Sequence, residues 1–171
     1  MNTSLPGKTS QIYAEIAAAL PLLLKGNVMS IDPSVGSDSS MPAFAIYIGG
    51  ELHTSGVLNI DKKKPTWYKL KQVYRQIRNL SKQYRPDVCV YERVPVSAHG
   101  GRSQVSHATL LMASGVVIAA CDARAYVGIM PITWKKYIDS NYVKSDEADA
   151  IYIGKVTIQL AYNMDKVVKL K

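Results

Sequence analysis

Apolar and polar positions fall along the chain in blocks whose spacing separates strands from helices. Residues 28–32 (Val28-Met29-Ser30-Ile31-Asp32) are a nearly continuous apolar run stopped by Pro33, the pattern of a buried strand. Residues 43–49 and 51–60 read as two more strands, joined at Gly49-Gly50, a strong hairpin signal. Over 66–84, Leu70, Val73, Ile77, Leu80 and Tyr84 recur in steps of three and four, which predicts an amphipathic helix closed by Pro86. A fourth apolar strand, 88–92, ends in Glu92. The helix predicted over 103–122 is apolar nearly all round, so both of its sides need cover: the sheet on one, a second subunit on the other. A fifth strand at 125–130, a short helix opening at Pro131 and a last helix over 146–162 complete the order. Upstream, residues 10–25 predict a helix kinked or broken by Pro21. A hairpin followed by alternating strands and helices implies an α/β domain, with a mixed five-stranded sheet and helices on both faces.

The 171 residues suit one domain with a proper core, here a main domain at 27–171 behind an N-terminal helical extension at 1–26. The longest apolar stretch, from Ile16 to Leu24, is too short to span a bilayer, and no cleavage signal follows it. Cys89 and Cys121 sit among Val and Ala, as small core residues of a reduced, cytoplasmic protein do. A net charge of +8 draws polyanions, which makes nucleic acid the leading partner. The glycines follow no phosphate-loop pattern, so no nucleotide triphosphate site is expected.

Carboxylates then change the picture. Asp32 terminates the first strand, Glu92 terminates the fourth, and Asp146 and Asp149 lie three apart on one face of the last helix. If the first and fourth strands are parallel neighbours, Asp32 and Glu92 converge beyond their carboxyl ends, where α/β sheets place their sites. Grouped carboxylates repel unless cations bind, and hard oxygen ligands suit magnesium or manganese. Two such ions, roughly 3.5–4 Å apart, can clamp the attacking and leaving oxygens of a phosphodiester. Each placement also has a plainer use: Asp32 before Pro33 suits a turn, and Asp146 and Glu147 behind Ser145 suit a helix N-terminus. Glu92 is harder to dismiss, because Glu is a poor strand residue.

Ile31-Asp32-Pro33-Ser34, Val90-Tyr91-Glu92-Arg93-Val94 and the run from Ser145 to Ile151 (Ser-Asp-Glu-Ala-Asp-Ala-Ile) resemble the three signature segments of RuvC-type Holliday junction resolvases, within the RNase H-like superfamily. The resemblance covers roughly residues 27–163, and its most specific piece is the Asp-Glu-Ala-Asp-Ala run. It implies an RNase H-like fold, two magnesium ions (manganese substituting), and hydrolysis of branched DNA by a homodimer meeting through the helix at 103–122. Asp32 would be shared by both ions, Glu92 would hold one, and Asp149, aided by Asp146, the other. The chain departs from the cellular enzymes in its residues 1–26 and in the short stretch from Lys135 to Lys144, where a longer basic segment is usual. A compact variant of that kind suits a phage or viral enzyme. The trimmed region leaves open a relaxed flap or fork nuclease, and a non-catalytic junction-binding module remains the alternative from another class.

DNA contacts are expected from Lys62, Lys63 and Lys64 with Trp67, whose ring can stack on an unpaired base. Arg93 and Arg102 would flank the carboxylates, and with Lys135, Lys136 and Lys144 they are further candidates for phosphate contact. The basic face Lys71, Arg75, Arg78, Lys82, Arg85 is either solvated, the commoner case for an amphipathic helix, or a phosphate contact, an option strengthened by the absence of any acid from Lys62 to Pro86. His107 is expected to be packed and hydrogen-bonded rather than a ligand.

Overall fold

The computed structural model describes residues 7–35, 40–94 and 104–169, with side chains for 11–35, 40–94 and 107–167. The elements are α1 (Gly7–Lys25), β1 (Asn27–Asp32), β2 (Ala43–Ile48), β3 (Glu51–Val57), α2 (Thr66–Tyr84), β4 (Val88–Glu92), α3 (Gln104–Ala120), β5 (Ala125–Ile129), α4 (Pro131–Trp134) with a 3-10 turn at Lys135–Tyr137, and α5 (Asp146–Lys169). The strands form one sheet in the order β3-β2-β1-β4-β5. β1 pairs antiparallel with β2 and parallel with β4, and β4 runs parallel to β5. This is the expected mixed five-stranded sheet.

Strand parity divides the core in two. Val28, Val88, Val90, Val127 and Ile129 point to the face covered by α1 and α5, together with Ile16, Leu23, Ile153 and Trp134. Met29, Ile31, Ile46 and Cys89 point to the face covered by α2 and α3, with Val73, Ile77, Ala113 and Val117. Because successive strand residues alternate sides, a sheet whose central strands carry apolar residues on both parities must be covered on both faces. Cys89 and Cys121 are free and buried, as expected of core thiols. At the β2–β3 hairpin Gly49 and Gly50 both take positive φ, 60° and 89°, which only glycine adopts without cost.

The N-terminal helix packs into the core. α1 runs on through Pro21, so of the expected kink or break no break occurs. Pro21 lies on the exposed side, while Ile12, Ile16, Ala19 and Leu23 are buried against the sheet and α5. Burial of that stripe holds the helix together where one backbone hydrogen bond is missing. Among the described residues no helix is long and apolar enough to cross a membrane.

Candidate active site

Asp32 is the last residue of β1, and its side chain shares the α5-facing parity of Val28 and Ser30. Glu92 ends β4 on the same parity as Val88 and Val90. The parallel register sets Ile31 opposite Tyr91, so both carboxylates leave the same edge of the sheet toward the same side. α5 brings the third. Its first turn carries Asp146, Glu147 and Asp149, and Ser145 caps it, Oγ accepting the Ala148 N–H at 3.1 Å.

Close approach of α5 to β1 fixes where that turn lies. The Ser30 hydroxyl donates to the Ala150 carbonyl at 2.7 Å, and Tyr47 Oη donates to the Ile151 carbonyl at 2.5 Å. Gly154, one turn on, lies so near the sheet that a Cβ there would meet the Tyr47 ring at 2.4 Å and Ser30 Oγ at 2.7 Å. The helix can therefore settle on the strands only because this residue has no side chain.

Asp32 is 4% exposed. Its Oδ1 accepts the Ser34 N–H at 3.1 Å and the Ser34 hydroxyl at 2.7 Å. Burial nevertheless pushes its carboxyl up from 3.8 to about 7, and the charges of Glu92 and then Asp149 push the same way, against the Ser34 hydrogen bonds. Those two neighbours are the like charges expected from the sequence. Glu92 Oε2 accepts the Trp134 indole N–H at 3.1 Å, and Asp149 accepts a short hydrogen bond from Tyr142. The Tyr142 phenol is correspondingly raised, by burial first and then by its bond to Asp149. Asp146 is held differently, its Oδ2 accepting the Met41 N–H at 2.9 Å and so tying α5 to the chain entering β2. Glu147 accepts from Ser55 of β3 at 2.6 Å. Among the described residues no three His, Cys, Asp or Glu side chains stand together as a ready ligand set for a metal ion. Asp32, Glu92 and Asp149 are each hydrogen-bonded to a neutral donor instead. The donor set itself, hard oxygens grouped with like charge, is of the kind magnesium or manganese takes.

The expected DNA contacts divide. Lys63 and Lys64 are exposed beside Trp67, which is 63% exposed at the start of α2, and Lys64 lies over the Tyr68 ring at 5.9 Å. Lys62 is half-buried. Lys135, Lys136 and Lys144 are exposed on the segment that carries Trp134 and Tyr142, Lys135 lying over the Trp134 ring at 5.1 Å. Arg93 is engaged elsewhere: its Nη2 pairs with Glu15 of α1 at 2.5 Å, crossing Gly128, where a Cβ would meet Arg93 Nε at 2.6 Å. Glu15 also accepts the Gly128 N–H at 2.9 Å on the outer edge of β5. Arg102 lies outside the described residues. His107 corrects its expectation in part, since neither ring nitrogen finds a hydrogen-bond partner among the described residues.

Sequence reasoning missed Tyr142, Trp134, Ser34 and Glu15. Trp134 alone carried a signal, as a buried-type residue just past the strand end that neighbours Glu92.

No family model matches the chain, and no curated protein sequence does. Solved structures do. RuvC of Thermus thermophilus in complex with Holliday junction substrate superposes with a TM-score of 0.61 at 14% identity, covering 81% of this chain and 94% of that one. Thermus thermophilus RuvC alone gives 0.59 at 14%, over 82% and 96%. The yeast mitochondrial Holliday junction resolvase Ydc2 gives 0.51 at 12%, over 90% and 93%. The fold is that of the RuvC resolvases, as the three sequence segments suggested.

Proposed function

We propose that this RuvC-fold chain is a structure-selective endonuclease that hydrolyses phosphodiester bonds in branched DNA, four-way junctions above all. One observation supports the reading: the Asp32 carboxyl at this edge of the sheet is raised to about 7, by burial first and then by the charges of Glu92 and Asp149. Such a group is costly to keep unless a cation uses it. The structural neighbours, which include a RuvC bound to its junction, point the same way.

Asp32, Glu92 and Asp149 would hold magnesium or manganese, with Asp146 the fourth carboxylate in reach of that turn. The ions, when bound, would supply an activated water and stabilise the leaving oxygen. The chain's own residues prepare the place. Trp134 orients Glu92, Tyr142 orients Asp149, and Ser34 orients Asp32. Lys135, Lys136 and Lys144 bind the phosphates beside the scissile bond, and Lys62–Lys64 with Trp67 hold the strand on the other flank. Asp146 acts chiefly through Met41, positioning the turn that carries Asp149.

Paired nicking needs two sites, and α3 offers the means. Ala108, Leu111, Met112, Gly115, Ile118 and Ala119 form an exposed stripe in helical steps, with Leu111 at 40% and Met112 at 49% exposed. A second copy laid against it would bury an apolar seam in which Gly115 allows close approach. The shortness of the Lys135–Lys144 segment favours a second reading in which the substrate is relaxed to flaps and forks.

The test presents purified protein with a synthetic four-way junction, a flap and a linear duplex, each in magnesium or EDTA. Magnesium-dependent cutting of the junction alone is expected. Equal cutting of flap and junction selects the relaxed reading, and no cutting of any of them refutes both.

A further inference from the structure

We propose that the outer face of α2 is a track for the phosphate backbone of duplex DNA, running from the carboxylate edge to the opposite edge of the sheet. The nuclease reading supplies only where the duplex begins; the track itself rests on charge and topology. β3 and β1 both pair antiparallel with β2, so the chain leaves β3 at the edge where β1 ends in Asp32. α2 then carries it back to the start of β4, which runs parallel to β1. Its first turn therefore stands at the catalytic edge and its last turn at the far edge.

Along that path, Trp67, Lys71, Arg75, Arg78, Lys82 and Arg85 recur in steps of three and four, one stripe on the side away from the buried Val73 and Ile77. Lys71, Arg75, Lys82 and Arg85 are exposed. From Lys62 to Pro86 the chain carries no acidic residue, whereas a face that is only solvated mixes signs. The stripe ends in a hollow of about 600 Å³ lined by Lys82, Arg85 and Arg124, with Asp87 and Asp122. Each of these acids faces an arginine: Arg124 to Asp87 at 3.5 Å and Arg78 to Asp122 at 3.4 Å. Lys82 and Arg85 thus add charge of one sign to the hollow. The helix has 19 residues, about 28 Å at roughly 1.5 Å each, or about eight base pairs of duplex. An arm leaving the branch point at Trp67 would lie along it for most of a helical turn.

The experiment measures binding of the full chain to a 20-base-pair duplex in EDTA across a salt series, so no cutting is needed. The variant carrying Lys71→Gln, Arg75→Gln and Lys82→Gln should lose about 2.7 from the slope of log affinity against log salt, near 0.9 per cation, and at least about tenfold in affinity near 0.1 M salt. Lys69→Gln, on α2 but off the stripe, should leave the slope in place. On a four-way junction, uncharged methylphosphonates at the fifth to eighth positions of an arm should weaken the unsubstituted protein and add little to the triple variant. An unchanged slope in the triple variant, or additive losses on the modified arm, would overturn the track. Failure to cut any junction would sink the nuclease reading while leaving the duplex result to stand or fall alone.

Discussion

Replacing Asp32 by Asn should stabilise the metal-free protein at pH 8 and clearly less at pH 5, where part of the effect is already present. In the folded chain burial, Glu92 and Asp149 raise the Asp32 carboxyl from 3.8 to about 7. The folded state therefore holds this proton more tightly than the unfolded state between those values. Its contribution is fully present below about pH 4 and is lost as pH rises through about 7. A shift of about three units corresponds to a ceiling of about 4 kcal/mol at alkaline pH, at about 1.4 kcal/mol per unit. Side-chain relaxation and water at the sheet edge reduce that to about 2 kcal/mol. Asn keeps an Oδ1, and both Ser34 hydrogen bonds end on Oδ1 of Asp32, so neither is lost. For a chain of this size the gain is a rise of about 4–8 °C in Tm. The assay is thermal unfolding of both proteins in EDTA at pH 5 and pH 8. A difference that is the same at both pH values, or a variant less stable at pH 8, would rule out Asp32 as a strained buried carboxylate.

Other expectations follow from neighbouring contacts. Gly154→Ala forces its methyl into Tyr47 and Ser30, and should cost about 1–3 kcal/mol by chemical denaturation as α5 lifts from the sheet. Glu15→Ala strands the Arg93 guanidinium and the Gly128 N–H, and should lower stability by about 1–3 kcal/mol in the same measurement, with Glu15→Gln costing less because the Gly128 bond survives. The parent chain is expected to sediment as a dimer through the proposed α3 seam, and Leu111→Asp with Met112→Asp to leave it a monomer, since the pair charges that stripe without touching the buried Ala113 and Val117.

Where the sequence could be read, local physics sufficed. α2 spans Thr66–Tyr84 as expected, because Pro65 and Pro86 bracket an uninterrupted apolar period. β1 and β4 were legible as apolar runs closed by a carboxylate, and that same feature located Asp32 and Glu92. The unbroken α1 was not legible, since Pro21 argues locally for a stop and only packing of Ile16 and Leu23 overrides it. Arg93 was read as a DNA contact because its partner Glu15 lies 78 residues away, beyond any periodic signal. Trp134 is likewise 42 residues from Glu92. Gly154 reads in sequence as a weak point of the last helix. Its use appears only once Ser30 and Tyr47 are placed beneath it.

The sharpest trial of the nuclease reading uses a supercoiled plasmid that extrudes a cruciform, incubated with the protein in magnesium. Opposed nicks made within one binding event convert it to linear DNA. That product is expected from the parent chain and none from Glu92→Gln or Asp149→Asn. Linear product from either variant, or intact circles from the parent, would defeat the proposal that these carboxylates cut branched DNA.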